Sequence, residues 1–500
     1  VRRSIFILLH TAAIFAITLS LLSGFRIATL TKPYLLTIAA LLPSGQVHNL
    51  HLLSASLLLS LSVYYLYFRM SIGRVTSQSR YHRVVTWLGH VSLTICLISG
   101  LLNYFDLTPE HIVSLHYYSA VAIVAYLLLH SWVYIMQFGC KAFKKILLMS
   151  SKHVPYKLLA ALSLCTGVLF FFINSLTHTL NITPISTQVL MEIDGLANEP
   201  QWQNAHTFII DTANGANFAN GHTQVQIKAL SNQHETFFLF RWADPTKSLQ
   251  HLPLTKTSQG WKVKENGFYL FDEQSYYEDK FAVMLSNSCD IGADGTSHLG
   301  KKPFADKPAN WHGKGYHASL DGKVRDLWHW KAVRTNDMVL ADDNYIGPLA
   351  EPLSGQRRYK AGYQTDGKES GAYVMNWQWY SPSSITPKRL PTHSGNDDKP
   401  VLPWFGSQPY HQSKDIYPIG THLSSVLYRS NRFEGDRADV RAKGHWHDGF
   451  WTLELVRQNQ TQSKYDVALN NDTCIWVSAF DSSQIAHTRH QRAIKLRYSL

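Results

Sequence analysis

Residues 112–137 read IVSLHYYSAVAIVAYLLLHSWVYIMQ: twenty-six residues without a charge, carrying two histidines, His116 and His130. About twenty apolar residues at 1.5 Å rise suffice to cross the hydrocarbon core of a bilayer, so this stretch reads as a membrane span. Working outward, four more runs qualify: 4–22, 48–68, 87–105 and 157–176. Charge is distributed to match. Residues 1–178 carry thirteen Lys/Arg against two acids (Asp106, Glu110), whereas residues 179–500 are nearly balanced, 34 against 33. The basic character therefore belongs to the linkers between apolar runs and gives no surface for nucleic acid.

Those linkers sort by side. Arg2 and Arg3, the set Arg69, Arg74, Arg80 and Arg83, and the set Lys141, Lys144, Lys145, Lys152 and Lys157 fall on one side; only Arg26 and Lys32 fall on the other. The positive-inside rule puts the first set in the cytoplasm. After five crossings, residues 179–500 are then expected outside, in the periplasm of a bacterial inner membrane. The first run has the basic start of a signal peptide, but it is long for one and no small-residue cleavage site follows; it is expected to stay as a helix. The reading is a membrane α-helical bundle of five transmembrane helices (1–178), followed by a mainly-β sandwich domain with long loop insertions (179–500).

Ionisable groups inside a bilayer are costly and mark functional sites. This bundle holds His10, His48, His51, His90, His116 and His130. Fourteen helical residues return to within about 40° of one face and rise about 21 Å. His116 and His130 thus point into the bundle near opposite membrane surfaces. By topology His51 is level with His116 and His10 with His130, which predicts two bis-imidazole haem sites stacked across the membrane. His48, one turn from His51 and nearer the surface, is the alternative ligand at that level; with His51, the favoured one, as ligand, His48 would bond a propionate or a quinone. His90 reads as a quinone-site or packing residue, and His82 as an interfacial one.

These histidines resemble those of the di-haem cytochrome b subunits of formate dehydrogenases and nickel–iron hydrogenases, over about residues 1–140. The resemblance implies haem ligation by His10, His51, His116 and His130, with electrons passing between membrane quinone and a partner outside.

Beyond Thr177 the pattern changes to short alternating runs such as Thr223–Leu230, Thr236–Trp242, Lys280–Leu285, Gly449–Arg457 and Ile475–Phe480, which read as antiparallel strands. Residues 287–420 read as long loop. Cys289 and Cys474 are free to pair in an oxidising compartment, and the absence of Cys-x-x-Cys-His from the sequence excludes covalent c-type haem.

Five phrases recur here together: Gly215-Ala216-Asn217-Phe218; Phe240-Arg241-Trp242-Ala243-Asp244-Pro245-Thr246; Glu278-Asp279-Lys280-Phe281-Ala282-Val283-Met284; Asp326-Leu327-Trp328-His329-Trp330-Lys331; and Asp448-Gly449-Phe450-Trp451-Thr452-Leu453-Glu454-Leu455. Over about 190–497 the chain resembles the ethylbenzene-dehydrogenase-related haem-binding domain. That resemblance implies a β-sandwich holding one haem b through a Met and a Lys. Met284 matches the Met. Where the Lys is expected, the chain reads His487-Thr488-Arg489-His490-Gln491-Arg492, so His487 or His490 is the expected second ligand, with Lys495 the nearby lysine. His298 and His317 are further candidates. His445 and His447, beside Asp448, read as a surface turn.

Electron transfer is the leading function. It would use two membrane haems and one outer haem, quinone or quinol as substrate, and a cytochrome c or molybdenum enzyme as periplasmic partner. The chain would be the electron-transfer subunit of a quinone-linked oxidoreductase, with no catalytic side chain of its own. One alternative is a membrane-anchored periplasmic ligand-, haem-binding or sensing module without a relay; another is a reductase working at an open outer haem.

Overall fold

The computed structural model of the chain describes residues 2–28, 32–43, 47–72, 80–105, 110–139, 155–175, 178–268, 272–289, 296–298, 317–319, 322–351, 360–366, 372–378, 380–392, 399–430, 435–490 and 492–499. Internal contacts divide the chain into two units, with the boundary at Thr177 and His178.

The first unit is helical: α1 (Arg2–Ala28), α2 (Val47–Ile72), α3 (Arg80–Tyr104), α4 (Glu110–Phe138) and α5 (Tyr156–Ser175). Each contains a stretch long and apolar enough to cross a membrane. α1 and α3 run further than their apolar cores, to Arg2 and Arg80. α1 packs on α2, α3 on α4, and α2 on α5. The burial pattern is the reverse of a soluble bundle. Phe15, Leu66, Trp87, Leu128 and Phe171 are exposed, whereas Ser23, Ser54, Ser56, Ser92, Ser99 and Ser119 are buried. Small hydroxyl side chains between helices and large apolar ones outside suit a lipid surround, and mark a membrane protein.

The second unit is mostly β. One twelve-stranded sheet runs, in spatial order, Tyr363–Thr365, Asp342–Ile346, Arg325–Lys331, Lys280–Ser286, Cys474–Phe480, Ile494–Tyr498, His178–Pro184, Thr223–Ser231, Glu235–Ala243, Phe450–Gln458 and Arg441–His447, with Phe208–Thr212 also on Thr223–Ser231. The strand His178–Pro184 joins two halves: His178 to Ile182 pair with Ile494–Tyr498, and Thr183 and Pro184 with Thr223–Ser231. The halves then face each other. Phe281 meets Phe240 at 4.8 Å and Trp242 at 4.6 Å between ring centroids, although their strands are far apart in sheet order. Trp328, Trp330 and Trp451 complete this core, each fully buried aromatic contributing about 1.5–3 kcal/mol or more. This is the sandwich expected from alternation.

The stretch expected as loop, 287–420, is more structured than its text suggests. Its described parts include Tyr373–Met375, Arg389–Pro391, Leu402–Pro403 and Ser407–Pro409. Leu390, Leu402 and Ile385 pack with Leu254, Trp261 and Leu427 in a second apolar cluster. Strands of two or three residues are too short to show a period of two in sequence.

Candidate functional site

In the bundle, the rings of His51 (α2) and His116 (α4) lie 6.1 Å apart between centroids and perpendicular to one another. Those of His10 (α1) and His130 (α4) lie 6.3 Å apart. The structure thus brings together the four histidines in the two pairs expected from depth. Two imidazoles sharing one metal through bonds of about 2 Å stand with centroids about 6 Å apart, so both separations fit a shared iron.

The surroundings fix the rings. His116 Nδ1 donates to the Cys96 carbonyl at 2.9 Å, and His51 Nδ1 to the Ser20 carbonyl at 3.1 Å, with Ser23 Oγ at 3.0 Å. A proton held on Nδ1 leaves the Nε2 lone pair for a metal, the usual arrangement of a ligating histidine. Glycines make the room: a Cβ on Gly100 would stand 2.8 Å from His116 Cε1, and one on Gly24 3.1 Å from His51 Cε1. His130 differs, since its Nδ1 is buried without a hydrogen-bond partner. It sits among Tyr126, Tyr134 and His82, at 5.1, 5.1 and 5.7 Å.

His82 is therefore a correction. Read in sequence as interfacial, it is buried against His130, because α3 is already helical at Arg80 and carries it inward. His48 is half-buried one turn before His51. His90 is exposed, with its ring 6.1 Å from that of Tyr65. The serines and glycines around the rings were missed in sequence; their signal is small residues at helical positions level with a histidine.

In the β domain, alternation puts Phe281, Val283 and Leu285 into the core and Lys280, Ala282 and Met284 on the opposite face. Register places Met284 beside Leu327 and Trp476, and Ala282 beside His329 and Ser478. Phe480, on the same face, stacks on His329 at 5.4 Å and touches His487 at 4.9 Å. Lys280 Nζ lies 4.0 Å above the Phe480 ring and donates to the Gln484 carbonyl at 2.8 Å.

This face gathers sulfur and nitrogen side chains, the latter with charged forms that burial disfavours. Burial, reinforced by Lys331, Lys280 and Arg334, holds His329 neutral far below the usual histidine range, and its Nε2 is buried without a partner. Burial, with Arg489 and Lys280 adding to it, pushes His487 down to about 4 against a hydrogen bond to the Thr488 carbonyl. Burial and Arg334 likewise depress the Lys280 amine. Met284 supplies a thioether. Neutral imidazole and thioether are donors a haem iron accepts, so His329, His487 and Met284 fit the group.

His490 does not join them. Its Nε2 accepts from the Val477 amide at 3.0 Å and its Nδ1 donates to the Arg492 carbonyl at 2.8 Å. Both ring nitrogens are spent holding the C-terminal segment to a strand, which leaves no lone pair for iron. Lys331, on the same face as His329, is bonded to Asp342. Lys495 lies half-buried on the strand Ile494–Tyr498. His298 and His317 are cross-strand partners in an antiparallel pair of three-residue strands. His445 and His447 stack at 6.3 Å on the surface, His447 beside Asp448. Cys289 and Cys474 form a disulfide.

The model of the ethylbenzene dehydrogenase family matches residues 199–492. No curated protein matches the chain. Among solved structures, a carbohydrate binding module family 9 domain from Caldicellulosiruptor kristjanssonii in complex with glucose is similar at 9% identity and a TM-score of 0.23, covering 64% of this chain and 97% of that one. The same module in complex with cellotriose is similar at 10% identity and a TM-score of 0.21, covering 64% and 95%. Likenesses this distant carry no functional reading. The family match takes in the strands and histidines of the face described above, from Met284 to His490, and the chain belongs to the ethylbenzene dehydrogenase family.

Proposed function

We propose that the chain is a membrane-bound b-type cytochrome, carrying electrons between the quinone pool and a periplasmic redox partner through two haems in the helix bundle and a third in the β domain. The observation that carries this reading is the double pairing of His51 with His116 and His10 with His130 at metal-sharing distance. When bound, each haem supplies a reversible one-electron couple. The residues supply the rest. Cys96 and Ser20 carbonyls hold His116 and His51 in the tautomer that frees Nε2, and Gly24 and Gly100 keep space beside the rings.

In the β domain, Met284 with His487 is the pair favoured for the third haem. His329 is a neutral imidazole on the same face, beside the buried Lys280 amine. The Cys289–Cys474 disulfide supports an oxidising compartment for this domain, in keeping with the charge bias that puts it in the periplasm of the inner membrane. A cytochrome c or a molybdenum enzyme is the class of partner that would complete the circuit.

Reduced-minus-oxidised spectra with haem quantitation on the purified full chain, before and after adding a quinol, test the proposal. It predicts about three b haems per chain, reduced by quinol. Two would leave the β domain as a binding module, and none would sink the reading.

A further inference from the structure

A second group of ligands lies in the β domain, apart from the histidines. Asp326 on the strand Arg325–Lys331, Asp343 on the strand Asp342–Ile346, and Asp466 in the connection before Cys474 each offer a carboxylate oxygen, and these oxygens all lie within 4.8 Å of one another. Asp326 and Asp343 are wholly buried, Asp466 half-buried. The sheet makes the cluster: Asp343 pairs with Trp328 and Asp326 with Tyr345, so the two acids are diagonal neighbours on one face.

A fourth acid joins at the next strand. The Asp366 amide donates to the Asp343 carbonyl at 3.1 Å. Its own carboxylate is buried, with one oxygen held by Ser463 Oγ at 2.7 Å and the other without a partner. A cation, Arg457, touches two of these four acids. Arg457 Nη1 lies 2.5 Å from Asp326 Oδ2 and 3.5 Å from Asp466 Oδ2.

Asp343 is the telling residue. Both its oxygens are buried and neither has a hydrogen-bond partner, and Asp326 Oδ1 is in the same state. A buried carboxylate without donors is strongly unfavourable. Oxygens gathered within 4.8 Å of one another suit a cation between them: bonds of about 2.3–2.6 Å to calcium span ligand oxygens up to about 5 Å apart. The Asp244, Asp279 and Asp481 group shows the contrast. There Ser248 and Ser482 amides and the Trp451 indole donate to Asp279, and Thr246 to Asp244 and Asp481. That group is largely satisfied by its own surroundings.

We propose that Asp326, Asp343, Asp366 and Asp466 form a site for one calcium-sized divalent cation, which ties two sheet strands to the segment before Cys474. Calcium is favoured over magnesium because it accepts many carboxylate oxygens in loose geometry, whereas magnesium demands a near-ideal octahedron and keeps its waters.

The test uses the purified full chain in detergent, stripped with chelator and titrated with calcium chloride, with magnesium and sodium chlorides as controls. Bound metal and the thermal transition of the β domain are measured. The expected result is one calcium per chain and a transition raised by about 5 °C at a hundredfold excess over Kd, with a smaller response to magnesium. Asp343→Asn should lose both the ion and the shift. Its metal-free transition should lie at or above that of metal-free wild type, since an uncompensated buried charge is gone. Asp466→Asn, at the half-buried edge, should weaken calcium binding at least tenfold, and decides the matter if Asp343→Asn does not fold. A wild-type transition that calcium leaves unmoved, or either variant binding calcium as tightly as wild type, would overturn the proposal.

Discussion

The helix bundle and the β domain both gather histidines, and they hold them by different means. In the bundle, the backbone itself orients the rings: carbonyls of Ser20 and Cys96 take the Nδ1 protons of His51 and His116, and α4 carries His116 and His130 fourteen residues apart. In the β domain, the histidines come from a strand and from the C-terminal segment, and their roles diverge. His487 keeps Nε2 available, whereas His490 uses both nitrogens as a structural strap. A histidine beside another histidine is thus no guide to ligation; what its second nitrogen does is.

The largest effect separates the two regions outright. Replacing both His116 and His130 with Ala should abolish reduction by quinol, with a loss of at least about 100-fold in rate, while the β domain keeps its own haem absorbance. A stopped-flow trace at the haem Soret band checks this; unchanged reduction would mean that the membrane pairs carry no electrons. Next in size is the pair His487→Ala and His490→Ala. The first should remove the outer haem at little cost in stability. The second should keep the haem but lose about 1–3 kcal/mol, because the Val477 amide is left without its acceptor. Denaturant unfolding beside haem spectra tests the split, and the reverse pattern would exchange the two roles.

A pH effect is specific to the β domain. His251 is buried with its Nδ1 3.0 Å from Glu278 Oε1. Burial, aided by Arg334 and Lys280, pushes it down to about 4 against the pull of Glu278. Between about pH 6.5 and 4 the unfolded chain therefore takes up a proton that the folded chain refuses. His251 costs nothing above this window, and it destabilises the fold progressively as the pH falls through it. His251→Asn should flatten that acid limb in thermal melts between pH 7 and 4.5; an unaltered slope would mean that other groups set it. The smallest effect is expected from Ser99→Ala. Ser99 Oγ, 3.3 Å from His116 Nδ1, only supplements the Cys96 carbonyl. Its loss should shift the haem midpoint potential without loss of haem, read by redox titration.

How much of this was legible in sequence also divides by region. Apolar length and linker charge are local properties, so all five helices could be read, helical periodicity related His116 to His130, and topology set His51 level with His116 and His10 level with His130. His82 was misjudged because helix onset depends on packing as well as hydropathy. In the β domain the strands around Phe240, Val283 and Trp451 were visible as alternation. Their order was not, because pairing is long-range: Lys280–Ser286 lies beside Cys474–Phe480, and Cys289 bonds Cys474 across 185 residues. The strap role of His490 depends on the Val477 amide, and the unpartnered state of His329 on what surrounds a strand. No spacing rule encodes either.

The central claim is that α4 carries one ligand for each of two membrane haems. Haem-to-protein ratio in the purified full chain, compared between wild type and His116→Ala, tests it most directly. The account predicts that the variant loses one b haem per chain and that the remaining membrane haem keeps its spectrum; an unchanged ratio would contradict it.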